Sequence, residues 1–340
     1  MTARGTVSSA PMAGFPDKWA DFPAYILGIT QEIWEDRGLA TLRDSYAPGL
    51  VVRTPAGVSI GNANVVAATM ATLAEFPDRM LLGEDVIWCG TPQTGMLSSH
   101  RIFSTATHLG DGSFGRATGR TLGYRVIADC HARNGQIDDE WLIRDQGAIV
   151  RQLGLDPEQF ARDAIAREGG PDRASLPFTP QSDRPGPYTG TGNDSAWGAR
   201  YADMLTRIMA ADFGVIPASY DRACQIELPG GVTGHGHADA DRFWLSLRAA
   251  FPDAVLTIHH RMGREDPMMP PRAALRWSLE GHHAGWGAFG RPSGARVHVM
   301  GISHAEFGAV TGTAPRLRRE FVLFDETAIW KQILLHKGAA

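Results

Sequence analysis

The segment THLGDGSFGRATGR (107–120) returns 175 positions later as HHAGWGAFGRPSGA (282–295). Seven of the fourteen columns are identical, including one histidine, four glycines, a phenylalanine and an arginine. Three further blocks recur in the same order: FPD at 76 and 251, PAGV at 55 with PGGV at 229, and DEWLIRDQGAIVRQLG at 139 with REFVLFDETAIWKQIL at 319. Chance similarity of two glycine-rich loops does not explain four blocks in register. The sequence therefore predicts one domain present twice.

The length agrees with a duplication, because 340 residues correspond to roughly two domains at about 150 residues each. The repeat boundaries predict a first domain over 1–154 and a second over 201–340. Between them, 155–200 reads as one helix that begins after Asp156, followed by a stretch rich in proline, glycine and serine. We interpret that stretch as a linker or a wrapping segment.

Composition excludes several classes of protein. The formal net charge of −4 and the lack of basic patches with interleaved aromatic residues argue against a nucleic-acid partner. The three cysteines, Cys89, Cys130 and Cys224, form no CxxC motif, so we expect a reducing, cytoplasmic environment without a disulfide framework. The N-terminus lacks the apolar core of a signal peptide, and no apolar run reaches membrane-spanning length.

Periodicity predicts the same order of elements in each half. In the first half, helices over 22–37, 38–46 and 64–76 surround a short strand at 50–53. Extended segments follow, the last two at 121–133 and 136–144 and joined by a tight Asn134-Gly135 turn. Helices over 197–211, 217–222 and 240–250 repeat the order in the second half. The sequence thus predicts an α+β fold with a mostly antiparallel sheet.

At this point the motifs resemble the SnoaL-like polyketide cyclase (ester cyclase) family of the NTF2-like superfamily. The first half offers GRATGR (115–120), NGQIDDEW (134–141) and DQGAIVRQLG (145–154); the second offers WSLEGHHAGWGAFGRPSG (277–294) and DETAIWKQIL (325–334). The resemblance implies two cones, each a curved sheet with three helices around a pocket. It also implies packing of the two copies as an intramolecular pseudo-dimer, and it leaves a further homo-oligomer open.

The resemblance also suggests catalytic residues. In such cyclases a buried aspartate acts as acid or base, with a histidine about fourteen residues earlier. Here His131 precedes Asp145 by 14 residues, and His304 precedes Asp325 by 21 across a longer hairpin. A carboxylate in an apolar cone would have a raised pKa suited to removing a proton next to a carbonyl. The alternative for both aspartates is helix capping, since each precedes a short apolar helix.

Other candidates concern ligand binding. His108 and His283 belong to the glycine-rich block and are predicted to contact substrate, or else to anchor the loop. Tyr46 and Tyr220 follow the second helix of each half and are predicted to line the pocket, or else to pack in the core. His235 and His237 precede Asp239 and Asp241, which suggests a weak metal site, but the spacing fixes no further ligand, and we predict none.

Three functions therefore remain open. The first is a cofactor-independent cyclase, isomerase or lyase that abstracts a proton from a small carbonyl or polyketide-like ester. The second is a non-catalytic domain that binds a small molecule, and the third is a histidine-rich metalloenzyme centred on the second half. The fold alone does not separate them, because it hosts many reactions. The sequence also leaves open whether one pocket or both are active.

Overall fold

The computed structural model describes residues 12–308 and 315–338. In the first domain the helices precede most of the sheet, as predicted. The first helix continues as a π-helical turn over Gln31–Glu35. The elements are α1 (Phe22–Thr30), α2 (Leu42–Ser45), β1 (Tyr46–Thr54), β2 (Gly57–Ile60), α3 (Asn62–Glu75), β3 (Met80–Thr91), β4 (Gly95–Thr107), β5 (Thr121–Arg133), β6 (Gln136–Arg144) and α4 (Gln146–Gln152).

The linker helix and the second domain follow. The linker contributes α5 (Pro157–Arg167), which begins at the N-cap Asp156 as expected. The second domain repeats the order of the first. Its elements are α6 (Ala196–Met209), α7 (Val215–Ser219), β7 (Tyr220–Leu228), β8 (Val232–His235), α8 (Gly236–Ala250), β9 (Val255–Arg264), β10 (Arg272–His282), β11 (Arg296–Gly308), β12 (Arg316–Phe324) and α9 (Glu326–His336).

Each domain holds one six-stranded mixed sheet. The strand orders are β2-β1-β6-β5-β4-β3 and β8-β7-β12-β11-β10-β9, so the two sheets have the same topology. The pairs β1–β6 and β7–β12 are parallel, and the remaining neighbours are antiparallel. Neither sheet closes into a barrel. The prediction of two α+β domains of the NTF2-like type is confirmed.

The hairpin between β5 and β6 determines which side chains face inward. Asn134 and Gly135 both have positive φ angles, of 52° and 73°, as a tight two-residue turn requires. The strand pairing shifts close to this turn. Ala132 pairs with Ile137, but the preceding His131 pairs with Asp139, so Asp138 is an extra, bulged residue. A bulge shifts the alternation of side chains by one. Ile137 and Glu140 therefore face the same side of the sheet.

The outer faces of the two sheets pack against each other. Ile127 and Ile143 of the first sheet meet Met300, Ile302 and Leu323 of the second in one buried cluster. Polar contacts surround this cluster. Arg101 donates to Glu306 across the contact at 2.8 Å, and Arg125 donates to Glu227 at 2.9 Å.

The segment after α5 runs along both domains with little regular structure. Phe178 donates its backbone N–H to Pro55 in the first domain, and Asn193 bonds the backbone of Gly263 in the second. Tyr188 lies against the His131 ring of the first domain and bonds His260 of the second at 2.7 Å. The segment thus contacts both sheets. Within the described residues, no helix combines the length and the apolar character needed to cross a membrane.

Candidate functional site

The first domain encloses a cavity of about 340 Å³ between its helices and the inner face of its sheet. Alternate residues of β5, namely Val126, Ala128 and Cys130, face the cavity, as strand geometry dictates. Most of the wall is apolar. The polar and charged lining residues include Tyr46, Asn64, Thr69, Arg79, His100, Glu140, Arg144 and Gln146. A mainly apolar pocket with a few convergent polar groups is typical of a small-molecule site.

Two buried carboxylates line this cavity: Asp325, which caps α9, and Glu140. The β6 bulge directs Glu140 inward, between the strands that carry Cys130 and Val52. Its carboxylate accepts no hydrogen bond from any residue that the structure describes. Burial alone raises its pKa to about 7, from an ordinary value of 4.5. Near neutral pH Glu140 therefore exchanges readily between its acid and base forms, as a general base requires.

Two hydrogen-bond donors share the cavity with Glu140. Burial raises the pKa of Tyr46, and the nearby Glu140 charge raises it further, so its phenol stays protonated. His100 is 2% exposed, and burial lowers its pKa to about 4, so its imidazole is neutral at neutral pH. Its Nε2 has no hydrogen-bond partner within the described chain. A neutral imidazole and a phenol can both donate to a ligand oxygen.

Further polar atoms of the cavity wall lack partners. Arg79 Nε, Arg144 Nε and Gln146 Oε1 are buried without a hydrogen bond to the described residues. Buried polar atoms of native proteins rarely lack a hydrogen bond, so water or a ligand is expected to bind these atoms. Together with His100 Nε2, four unsatisfied atoms belong to residues that line this one cavity. These atoms make the cavity the candidate functional site.

Strand register allows the matching positions of the second domain to be identified. Ile102 pairs with Val126 on β5, and Trp277 pairs with Gly301 on β11, each at an offset of 175. By the same offset Leu275 replaces His100, and Trp244 replaces Thr69. At the end of the last strand Phe324 replaces Arg144. Trp244, Leu275, Trp277 and Phe324 all belong to the buried core of the second domain. Bulky side chains thus occupy positions that line the cavity in the first domain.

Glu140 of the first domain and Glu320 of the second differ in their hydrogen bonds. Glu320 occupies the position of Glu140, opposite Ala305 where Glu140 lies opposite Cys130. Tyr201 and Tyr220 donate to Glu320 at 2.9 and 3.0 Å. The matching Tyr46 makes no such bond to Glu140 among the described residues. The carboxylate of the second domain is held by protein groups, whereas that of the first domain is available to a ligand.

The structure does not bring His131 and Asp145 together. The backbone N–H of Asp145 donates to the carbonyl of Arg125 on β5. Arg125 lies six residues from His131 along this strand, a distance of about 20 Å at roughly 3.3 Å per residue. His131 lies on the outer face and pairs with Asp138 at 2.6 Å. Neither residue lines the cavity. The carboxylate of Asp145 caps α4 at Ala148 and accepts from Gly230 and Gly231 of the second domain.

His304 and Asp325 are also apart. His304 pairs with Phe321 on β12, four residues before Asp325, or about 13 Å along the strand. His304 lies between the sheets, 2.8 Å from Ser99 Oγ. Its register equivalent is Asp129, while that of His131 is Glu306, so the two histidines are not repeat partners. Asp325 caps α9 through Thr327, and it also borders the first-domain cavity.

Burial raises the pKa of both aspartates to about 6. Hydrogen bonds from backbone N–H groups oppose this shift, which agrees with their capping geometry. The structure therefore places these carboxylates at helix N-termini near the domain contact. It does not support the expectation that each His–Asp pair projects into a common cavity.

The remaining predicted residues take varied positions. His108 and His283 are fully buried and bond Thr118 and Ser293 within their glycine-rich loops, so they anchor these loops. Tyr46 lines the cavity and also packs in the core of the first domain. Tyr220 instead lies in the core of the second domain. His235 is exposed and His237 bonds the Tyr220 carbonyl. No group of three or more potential metal ligands occurs in the part of the chain that the structure describes.

Sequence reasoning missed Glu140, His100, Arg79 and Arg144. Glu140 did carry a signal, because the same acidic residue recurs as Glu320 in the last repeat block. Simple alternation along β6 would have placed it on the outer face, opposite to Ile137. His100, Arg79 and Arg144 carry the opposite signal: Leu275, Ala254 and Phe324 replace them in the second copy.

The comparisons with known proteins identify both domains. The family model SnoaL-like polyketide cyclase matches residues 24–153, and the model SnoaL-like domain matches residues 196–311. Solved structures that resemble the chain include IdmH from Streptomyces antibioticus (26% identity, TM-score 0.34), which overlaps 39% of this chain and 98% of its own. A SnoaL-like polyketide cyclase from Agrobacterium tumefaciens (17%, TM-score 0.33) overlaps 39% and 97%.

TsrD from Streptomyces laurentii (18% identity, TM-score 0.34) overlaps 39% of this chain and 98% of its own. No curated protein matches the chain. The first model covers all six strands of the first sheet, and the second covers β7 to β11 and ends before β12. The chain belongs to the SnoaL-like family and carries two SnoaL-like domains in tandem.

Proposed function

We propose that the first domain is a cofactor-independent enzyme that abstracts a proton next to the carbonyl group of a small molecule, with Glu140 as the base. The observation that carries the proposal is a buried carboxylate with a pKa of about 7, without a hydrogen-bond partner among the described residues, in a largely apolar cavity. The family supports cyclase-like chemistry, and Glu140 supplies a residue for it.

Proton abstraction converts the carbonyl compound to an enolate. The Glu140 carboxylate takes the proton from the carbon next to the carbonyl, and the C–H electron pair becomes the C=C bond of an enolate. The carbonyl electron pair moves to oxygen, where the neutral His100 imidazole or the Tyr46 phenol donates a hydrogen bond. Such donors stabilise the charge that develops in the transition state. In a cyclisation the enolate carbon attacks a second carbonyl, whose oxygen then takes the proton from Glu140. In an isomerisation Glu140 returns the proton to another carbon of the enolate.

We assign the second domain a structural role. Its tryptophans occupy the matching pocket positions, and its Glu320 is held by two tyrosines. It also positions the first domain, because Gly230 and Gly231 donate to Asp145 at the start of α4. Duplication followed by filling of one cavity accounts for the identical topology with unequal interiors.

The test is hydrogen–deuterium exchange at the carbon next to a carbonyl, followed by proton NMR in D₂O with a panel of aryl ketones and alkyl esters. We expect wild-type protein to accelerate exchange for a subset of the panel. Glu140→Gln should lower that rate about 100-fold or more, the range typical of a lost general base. The matched variant Glu320→Gln should stay within about twofold, because Glu320 lies outside the cavity.

Two results would overturn the proposal. One is exchange that survives in Glu140→Gln at the wild-type rate. The other is binding of panel compounds by the wild type without exchange of any of them, which would favour a non-catalytic small-molecule domain.

A further inference from the structure

The cavity contains two arginines without a carboxylate partner. Arg79 is 6% exposed, and neither it nor Arg144 forms an ion pair with the residues that the structure describes. Other buried arginines of the same chain are paired: Arg53 with Asp139, Arg101 with Glu306, and Arg272 with Asp85. Buried charges are ordinarily compensated. Arg79 therefore lacks the carboxylate partner that these three arginines have, and the half-buried Arg144 lacks one as well.

These arginines are also close enough to interact unfavourably. Burial lowers the pKa of Arg79, and the next largest effect is the positive charge of Arg144. Among the described residues no salt bridge joins Arg79 or Arg144 to Glu140 or Asp325, the two carboxylates that line the cavity. Two like charges held together in a partly dry pocket create a site where a bound anion would be stabilised.

The fold does not require either arginine. At the matching positions the second domain has Ala254 and Phe324, and its sheet has the same strand order and register. A structural need for a guanidinium at these positions would apply to both copies. The difference follows the cavity: the domain with the open pocket keeps both arginines and the filled domain has neither. This points to a ligand rather than to folding.

Charge balance favours a carboxylate over a phosphate. Arg79 and Arg144 bring two positive charges, and ionised Glu140 brings one negative charge. Asp325 also lines the cavity, but its carboxylate already accepts from the N–H groups of Thr327 and Ala328 at the start of α9, so one monoanion balances the charge that remains. A phosphate dianion would leave an excess negative charge in a mainly apolar pocket. The guanidinium fork also matches the geometry of a carboxylate. Gln146, whose amide oxygen is unpartnered among the described residues, offers an additional polar group beside them.

We propose that the substrate of the first-domain cavity is a carbonyl compound that also carries a carboxylate, bound by Arg79 and Arg144. The proposal rests on the proposed function for the reacting carbonyl but concerns a different part of the ligand. The apolar wall around Ile29, Ile102 and Val126 receives the body of the molecule. Arg79 and Arg144 hold the charged group, and Glu140 remains free to take a proton.

The test measures binding rather than turnover. Isothermal titration calorimetry at pH 8 compares naphthalene-2-carboxylate, naphthalene-2-carboxamide and 2-naphthyl phosphate on the full chain. We expect the carboxylate to bind about tenfold or more tightly than the neutral carboxamide, as charge-assisted hydrogen bonds imply. Arg79→Met and Arg144→Met should each reduce this preference to within about threefold. Binding of the carboxamide should persist in both, which shows that the variants are folded.

Arg116→Met, at an exposed position of the glycine-rich loop, is the matched control and should keep the wild-type preference. Equal affinity of wild-type protein for carboxylate and carboxamide would overturn the proposal, even if neither arginine variant folds. Tighter binding of the phosphate would overturn the assignment to a carboxylate. If no probe bound, both the carboxylate proposal and the assignment of the cavity as a small-molecule site would be overturned.

Glu140→Gln separates this inference from the proposed function. It should keep the preference for the carboxylate while losing deuterium exchange. Lost exchange with a retained preference supports both proposals. A retained preference together with wild-type exchange in Glu140→Gln supports the carboxylate site and overturns Glu140 as the base.

Discussion

Replacement of Glu140 by glutamine should change how stability depends on pH. The pKa of this carboxyl is 4.5 in an unfolded chain and about 7 in the cavity. Each pKa unit corresponds to about 1.4 kcal/mol, so the difference amounts to about 3 kcal/mol. Because the folded-state pKa is the higher one, the folded protein binds more protons between pH 4.5 and pH 7. Its stability relative to the unfolded chain therefore falls as pH rises through this window.

The glutamine variant removes this titration while the shape of the side chain is nearly kept. We expect the free energy of unfolding of the wild type, relative to that of Glu140→Gln, to fall by about 3 kcal/mol between pH 4 and pH 8. Equilibrium urea unfolding at the two pH values measures it. Glu320, Asp145 and Asp325 also have raised pKa values, but they are present in both proteins and cancel in the difference.

Asp203→Asn is the control, since Asp203 is an exposed carboxylate on α6. The difference in free energy of unfolding between Asp203→Asn and the wild type should be nearly the same at pH 4 and pH 8. An equal difference in free energy of unfolding between Glu140→Gln and the wild type at pH 4 and pH 8 would refute the reasoning. Glu140 would then be as well solvated in the folded protein as in the unfolded chain.

Three other substitutions test the rest of the account. Asp145→Ala removes the cap of α4 and should lower the free energy of unfolding by about 1–2 kcal/mol without slowing deuterium exchange; a large loss of exchange in folded protein would restore Asp145 as a catalytic residue. Thr69→Trp copies Trp244 into the first domain and should abolish binding of naphthalene-2-carboxamide in protein whose circular dichroism is unchanged; unaltered binding would place the ligand elsewhere. Ile302→Ala, in the cluster between the sheets, should cost about 2–5 kcal/mol in urea unfolding; a change under about 0.5 kcal/mol would mean that this contact adds little to stability.

Much of the fold could be predicted from the sequence because it follows from local patterns and from the duplication. The bounds of β5 and β6 agree with the predicted 121–133 and 136–144, since Asn134-Gly135 fixes the turn between them. The repeat blocks fall at matching positions of two sheets with one topology. The expectation that Tyr46 lies at the pocket comes from the resemblance alone, because that region lines the cavity in the superfamily.

The site could be predicted only in part, because it depends on which face of a strand a residue occupies. One bulged residue, Asp138, directs Glu140 into the cavity, and the sequence contains no unambiguous sign of that bulge. His131 lies near the turn of the β5–β6 hairpin, whereas Asp145 follows the far end of β6. The two residues therefore lie far apart although one hairpin connects them. His131 and His304 are also not at equivalent positions, since the register places Asp129 in the first domain where His304 lies in the second.

The unequal interiors of the two domains were also beyond sequence reasoning. Differences such as His100 against Leu275, or Arg144 against Phe324, are visible in the sequence. Their meaning depends on knowing that these positions line one cavity and fill the other. Loss of a polar residue between repeats then becomes as informative as its retention.

The pH profile of deuterium exchange tests the central claim most directly, because it reports the ionisation of the base itself. With a compound that the wild type exchanges, the rate should rise about tenfold per pH unit below pH 7 and level off above it, since only ionised Glu140 accepts a proton. Glu140→Gln should lack this inflection. A rate that shows no inflection near pH 7, or an inflection that persists in Glu140→Gln, would contradict the assignment of Glu140 as the base.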